Sequence, residues 1–369
     1  MSFFLNGLEI FTYRNLEQLL FDFYSNYEVT TLQFSPDKRG TRPSAKGRVC
    51  RFCKQPFPLV KFKKWAHVIP ELLGNKNLVT FDECDSCNSI FSKYEVHLAR
   101  FMGLDRTLFQ TKGKNGVPKF NTDENGFTAE VTDNLGLKDI VELVDISGEH
   151  FTINKDTGDT EIRYQKVSYI PIKVYKAMLK IAINLLPQNE LIHYEDAIKM
   201  ILTDKYDYIL AQYAVIRKYS MDEHFNVHAY LCKSRGNKSL PTHIFQLAFE
   251  NMTFQLFIPF SKLDLHLYKR ITMTPIFCPP IFFGAKPSSK RWFVENIPLQ
   301  DQEYVIEKCF LRLEFEPNTI KDIHSINPKT GKESDIPFLQ TKIKRIIISK
   351  EDFNININTL GNDQTKNEN

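Results

Sequence analysis

Cys50-Arg51-Phe52-Cys53, Ala66-His67-Val68-Ile69-Pro70-Glu71, Gly74-Asn75-Lys76-Asn77-Leu78 and Cys84-Asp85-Ser86-Cys87-Asn88 form the stretch that decides the reading of this 369-residue chain. Two CxxC pairs stand 30 residues apart. Each CxxC knuckle aims two thiolates at one point, and zinc takes four thiolate or imidazole ligands in a tetrahedron. Cys50, Cys53, Cys84 and Cys87 therefore predict one zinc ion. Its shell is closed and leaves no position for water, so the zinc is expected to be structural. The competing reading is two unrelated pairs of buried or redox cysteines. Four of the seven cysteines fall in this pattern within 38 residues, which favours zinc. Cys232, Cys278 and Cys309 are scattered and read as small buried apolar residues.

Outward from the cysteines, charge is uneven. Net charge is only +4, yet ten basic residues and one acid, Asp37, lie between Pro36 and Lys64. Such a run suggests a polyanion partner, with Lys61, Lys63 and Lys64 nearest the cysteine frame as candidate phosphate contacts. The plainer reading is a solvated loop. The 30 Phe and 15 Tyr favour strands with large side chains in the core. The N-terminal residues lack a basic region and a small-residue cleavage site, so no signal peptide is expected. No apolar run reaches membrane-spanning length. Paired cysteines fit metal binding in a reducing cytoplasm.

Periodicity sets out the organisation. Residues 1–45 read as an N-terminal leader, with helical spacing over Asn15 to Tyr27 and strand alternation over Tyr27 to Phe34. Residues 46–104 hold the cysteine module. Residues 105–330 read as a larger strand-rich α+β domain. Turns are expected there at Asn125-Gly126 and at Asp156-Thr157-Gly158-Asp159. A buried helix is expected from Pro171 to Leu186, a second over Glu190 to Leu202, and a hairpin of His243–Phe249 and Thr253–Phe260 around Glu250-Asn251. Residues 331–369 form a polar extension whose end is expected to be disordered. The fold class is α+β.

Residues 46 to 103 resemble the HNH endonuclease family, whose core is a two-stranded ribbon and a helix around a metal. The resemblance rests on His67 before Ile69-Pro70, on Asn77-Leu78 with Asn75 as the competing asparagine, and on Asn88 after the second CxxC. It implies a ββα-metal module and hydrolysis of phosphodiester bonds. It assigns the general base to His67, its orientation to Asn77, and binding of a catalytic Mg2+ or Mn2+ to Asn88. A neutral imidazole near its own pKa can take a proton from water, and an amide oxygen is a reasonable hard ligand. The position before the base, often a metal-binding Asp or His in such cores, is Ala66. Glu95, seven residues after Asn88 on the same helix face, is the first candidate replacement. Glu71, Glu83, Ser92 and His97 are the others.

The function expected is a metal-dependent DNA endonuclease or nickase. Its partner is nucleic acid, DNA before RNA, with no membrane. Nucleases of prokaryotic anti-phage defence have a similar layout, which suggests a defence effector. The 105–330 region is then a regulatory, sensor or oligomerisation domain, open to a homo-oligomer or a defence partner protein. The rivals are a non-catalytic zinc module that binds nucleic acid or a partner, which Ala66 favours, and an RNA endonuclease. The remaining histidines show no ligand spacing.

Overall fold

The computed structural model describes residues 3–5, 7–122, 126–134, 137–154, 159–203, 208–268, 277–288, 291–313 and 344–348. The protein is mixed α+β and divides into two compact units. One holds residues 1–98 and 170–304, the other 99–169 and 305–369. The expected boundaries followed sequence order, whereas the observed units are built from distant segments that pair as strands.

β1 (Phe3–Leu5) and β2 (Leu8–Phe11) form a hairpin, followed by α1 (Glu17–Asn26), which buries Leu20 and Phe23, and by β3 (Tyr27–Phe34). The expected helix and strand of the leader are both present, but the leader does not stand alone, as its strand pairings below show. β4 (Ala66–His67) and β5 (Val79–Thr80) form a two-residue ribbon, and α2 (Asp85–Met102) follows the second CxxC. The boundary between units falls within α2.

In the second unit, α3 (Asp105–Leu108) precedes β6 (Phe120–Asn121), β7 (Phe127–Asn134), β8 (Leu137–Asp145), β9 (Phe151–Ile153) and β10 (Thr160–Gln165). Its core gathers Leu104, Phe120, Phe127, Leu143, Ile162 and Leu311. Asn125 and residues 155–158 of the expected turns lie outside the described residues, as do 331–343 and 349–369 of the C-terminal extension.

The first unit resumes at α4 (Pro171–Leu185), α5 (Glu195–Leu202) and α6 (Tyr208–Ala211). Proline at the start of α4 has no N–H to lose, and apolar residues cover most of its circumference, so the helix is buried. Then come β11 (Val215–Ser234), β12 (His243–Phe257), β13 (Phe282–Phe283) and β14 (Trp292–Pro298). β13 pairs with β2. One edge of β11 pairs with β12. β14 pairs with residues 215–221 of β11, and β3 with residues 228–234.

The expected hairpin around Glu250 is instead the single strand β12. Glu250 takes a left-handed conformation (φ 50°) where the β11 register shifts. A bulge absorbs the polar break because the 20-residue β11 offers a continuous partner. β15 (Lys308–Leu313) and β16 (Lys344–Ile348) return to the second unit, β15 beside β10 and β16 beside β8.

Candidate active site and metal centre

The four cysteines converge. Their Sγ atoms all lie within 4.8 Å of one another, and Cys50, Cys84 and Cys87 are buried. Cys50 to Cys87 and Cys53 to Cys84 are each 3.8 Å between sulfurs. A tetrahedron with metal–sulfur bonds of ~2.3 Å has an edge of about 3.8 Å. The chemistry agrees. Hydrogen bonding from Cys87 pulls the Cys50 thiol down to about 5, while burial pushes Cys84 up to about 11. Negative charge collects on the Cys50 sulfur, while Cys84 and Cys87 resist ionisation. Four thiolates side by side need a dication, and zinc fits.

The knuckles are tied to the rest of the unit by Arg51. Its Nε donates to Asp82 (2.9 Å), and its Nη1 donates to the carbonyls of Ile183 (3.0 Å) and Leu186 (2.8 Å) at the C-terminal end of α4. Carbonyls at a helix end carry the negative end of the helix dipole and accept well from a guanidinium. Asp85 at the head of α2 accepts from the N–H groups of Lys63 and Lys64 (2.9 and 2.8 Å). This fixes the backbone entering β4.

His67 sits on β4, opposite Val79. The turn after it reverses at Gly74, whose φ of 84° is open to glycine at little cost. Asn75 then clamps the two strand ends. Its Nδ2 donates to the carbonyls of Ile69 (2.5 Å) and Leu78 (2.9 Å), and its Oδ1 accepts from Leu78 N–H (2.8 Å) and from the Ser35 hydroxyl (3.0 Å). The side chain of Asn77, expected to orient His67, donates instead to the carbonyls of Pro36 and Asp37, both at 2.8 Å. It anchors the segment leaving β3. The hydrogen-bonding work inside the ribbon falls to Asn75, which is fully buried.

The main-chain carbonyl of Lys76 faces the imidazole of His67 as an acceptor that favours its protonated form. The His67 Nε2 is buried and has no hydrogen-bond partner. Burial lowers the His67 pKa below the ordinary value, with Glu71 opposing and Arg39 and Lys180 assisting. The ring is therefore neutral.

Glu71 and Glu95 both act electrostatically at this place. Burial raises the Glu95 carboxyl, Lys180 opposes, and Glu71 adds to the rise. Two carboxyls that repel each other, one of them acting on the His67 imidazole, suit a divalent cation. Glu71 and Glu95 could supply oxygen ligands, and Asn88, one turn into α2, shares the helix face of Glu95. Among the described residues, however, the four cysteines are the one group of three or more Cys, His, Asp and Glu whose ligand atoms cluster this tightly. A catalytic cation would thus draw part of its shell from water and substrate phosphate, as Mg2+ commonly does. His97 is engaged elsewhere, since its Nδ1 accepts from Ile170 N–H (3.1 Å).

Much of the basic run is committed to structure. Arg39 donates to the Lys76 carbonyl, Arg42 to Lys63, and Arg48 to Ser44 and Phe81. Arg39 and Arg42 also lie over the Trp65 ring, at 4.9 and 3.9 Å. Lys61, Lys63 and Lys64 keep exposed side chains, with Lys64 Nζ donating to Ser89 Oγ (2.9 Å).

One participant was not singled out from sequence. Lys180 of α4 is 1% exposed, and its Nζ donates to the main-chain oxygen of His67 (2.6 Å). Nζ also lies 3.3 Å from Glu83 Oε2 in an ion contact that is off hydrogen-bond geometry. Burial raises the Glu83 carboxyl to about 7 against the pull of Lys180. The signal in the sequence was Lys176 and Lys180, two of the three lysines of the helix, one turn apart where apolar residues cover most of its circumference.

Residues 50–100 match the HNH endonuclease family, and the chain carries an HNH domain over that stretch. No curated protein and no solved structure matches the chain. No helix among the described residues is long and apolar enough to cross a membrane.

Proposed function

We propose that this protein is a metal-dependent endonuclease that hydrolyses DNA phosphodiester bonds, with His67 as general base. The observation that carries the proposal is the buried, unpartnered Nε2 of a neutral, half-buried imidazole. Leaving a buried acceptor unsatisfied costs about 1–3 kcal/mol, a cost removed when a water or substrate proton occupies the position. Asn75 fixes the ribbon that carries the ring. Nε2 then takes the proton from an attacking water. A bound Mg2+ or Mn2+ supplies charge stabilisation at the phosphate and the leaving oxygen. Glu71, Glu95 and Asn88 are the groups to hold it. Lys61 and Lys63, exposed beside the ribbon, contact the phosphate backbone and position it without reading sequence.

The rival is a non-catalytic zinc module that binds nucleic acid. It draws on Ala66 and on the absence, among the described residues, of a second tight ligand group. Plasmid nicking by the wild type and by His67→Ala, with Mg2+ or Mn2+ and then with EDTA, decides between them. Nicking that needs the cation and disappears in the variant is expected. Equal activity of the two proteins rejects the base, and binding without cleavage supports the rival. Matched DNA and RNA substrates separate the two nuclease readings.

A further inference from the structure

We infer that Lys180 is a positioning residue for His67, holding the main-chain oxygen of the base from the buried helix α4 while Glu83 holds the ammonium. The inference rests on the base assignment above and extends the active site beyond the matched stretch. β4 is two residues long, and its partner β5 is no longer. So short a ribbon constrains its own position weakly. Lys180 provides an external stop. Its side chain is buried, the Nζ lies 5.8 Å from the Phe91 ring centre, and the 2.6 Å contact to His67 fixes the height of that residue above the helix.

Burying a lysine and a glutamate is a poor route to stability, because desolvation offsets their attraction. An apolar pair of similar volume would fill the space as well. It would not hold a carbonyl. The particular product of this arrangement is the placement of one strand residue, the one that carries the unpartnered imidazole nitrogen. Misplacing a catalytic group by ~1 Å can cost on the order of 100-fold in rate.

The test uses the full chain with zinc bound. Lys180→Met combined with Glu83→Gln removes both charges while keeping volume, so the fold and zinc content are expected to persist. Nicking kcat should fall at least about tenfold with KM unchanged. Lys180→Arg, which keeps a cationic donor, should recover part of the rate and serves if the double variant is unstable. A readout independent of activity is the His67 ring Cε1–H resonance, assigned by its loss in His67→Ala. It should shift in the double variant while those of His193 and His266 stay fixed. Wild-type kcat and an unmoved His67 resonance in the double variant would overturn the inference. If His67→Ala nicks like the wild type while the resonance still shifts, the base assignment fails and the Lys180 contact stands.

Discussion

The ammonium of Lys180 lies 2.6 Å from the main-chain oxygen of His67, although 113 residues separate them in the chain. A helix outside the cysteine module therefore sets the position of the candidate base. The module is held from α4 at a second point, through Arg51.

The pH dependence of cleavage follows from the environment of His67. The base acts when neutral, and burial depresses its pKa. The rising limb of kcat/KM against pH should therefore lie below the ordinary histidine value of ~6.5. A pH–rate profile with its inflection above 7 would contradict this.

Removing a zinc ligand should unfold the module. In small thiolate frames metal-binding energy, on the order of 10 kcal/mol, is folding energy. Cys84→Ser is expected to bind less than one zinc per chain and to lose the cooperative melting of the module. His67→Ala should melt close to the wild type. Zinc assay and calorimetry on both proteins distinguish structural from catalytic residues, and indistinguishable melting would refute the division.

The two asparagines should separate. Asn75→Ala removes four hydrogen bonds from a fully buried side chain and leaves main-chain groups unpaired, at a cost of about 3 kcal/mol. Asn77→Ala removes two bonds to the exposed segment at Pro36 and Asp37 and should cost about 1 kcal/mol. Chemical denaturation of the two variants measures the difference. A larger loss for Asn77→Ala would reverse the assignment.

Arg51→Lys should behave almost like Arg51→Ala. The guanidinium serves Asp82 and two carbonyls from one planar group, which an ammonium on a flexible stem cannot reproduce. Each loss should be about 3 kcal/mol, given charged hydrogen bonds at a mostly buried site. Zinc content should be unchanged. Full stability in the lysine variant would show that charge alone suffices.

Acid should weaken the first unit through His228. This ring is buried between Phe34 and Phe283, and burial pushes its pKa down to about 4. The folded state therefore resists a proton that the unfolded chain accepts. The corresponding stability is intact above about pH 6.5 and is lost as pH falls toward 4, by up to about 3 kcal/mol. His228→Phe should flatten the dependence of melting temperature on pH over that window. An unchanged slope would place the acid sensitivity elsewhere.

The cysteine frame, the ribbon–helix order and the apolar faces of α1 and α4 were legible in the sequence because each is local. Spacing fixes which residues meet across a knuckle or along a helix turn. Two expectations failed for a common reason. The leader does not stand apart and β12 is not a hairpin, because a single long strand, β11, offers its edges to β3, β14 and β12 from across the chain. Within the basic run, the arginines serve carbonyls and the Trp65 ring, while Lys61, Lys63 and Lys64 keep exposed side chains.

By itself, then, the sequence picked out the four cysteines that converge as a candidate zinc site and the histidine proposed as base, since both readings depend on residues near one another in the chain. Tertiary structure alone decided which asparagine holds the ribbon, which cation stands behind His67 and how the chain divides into units. Those outcomes depend on long-range strand pairing and on the cost of burying charge without a partner, and neither leaves a periodic trace.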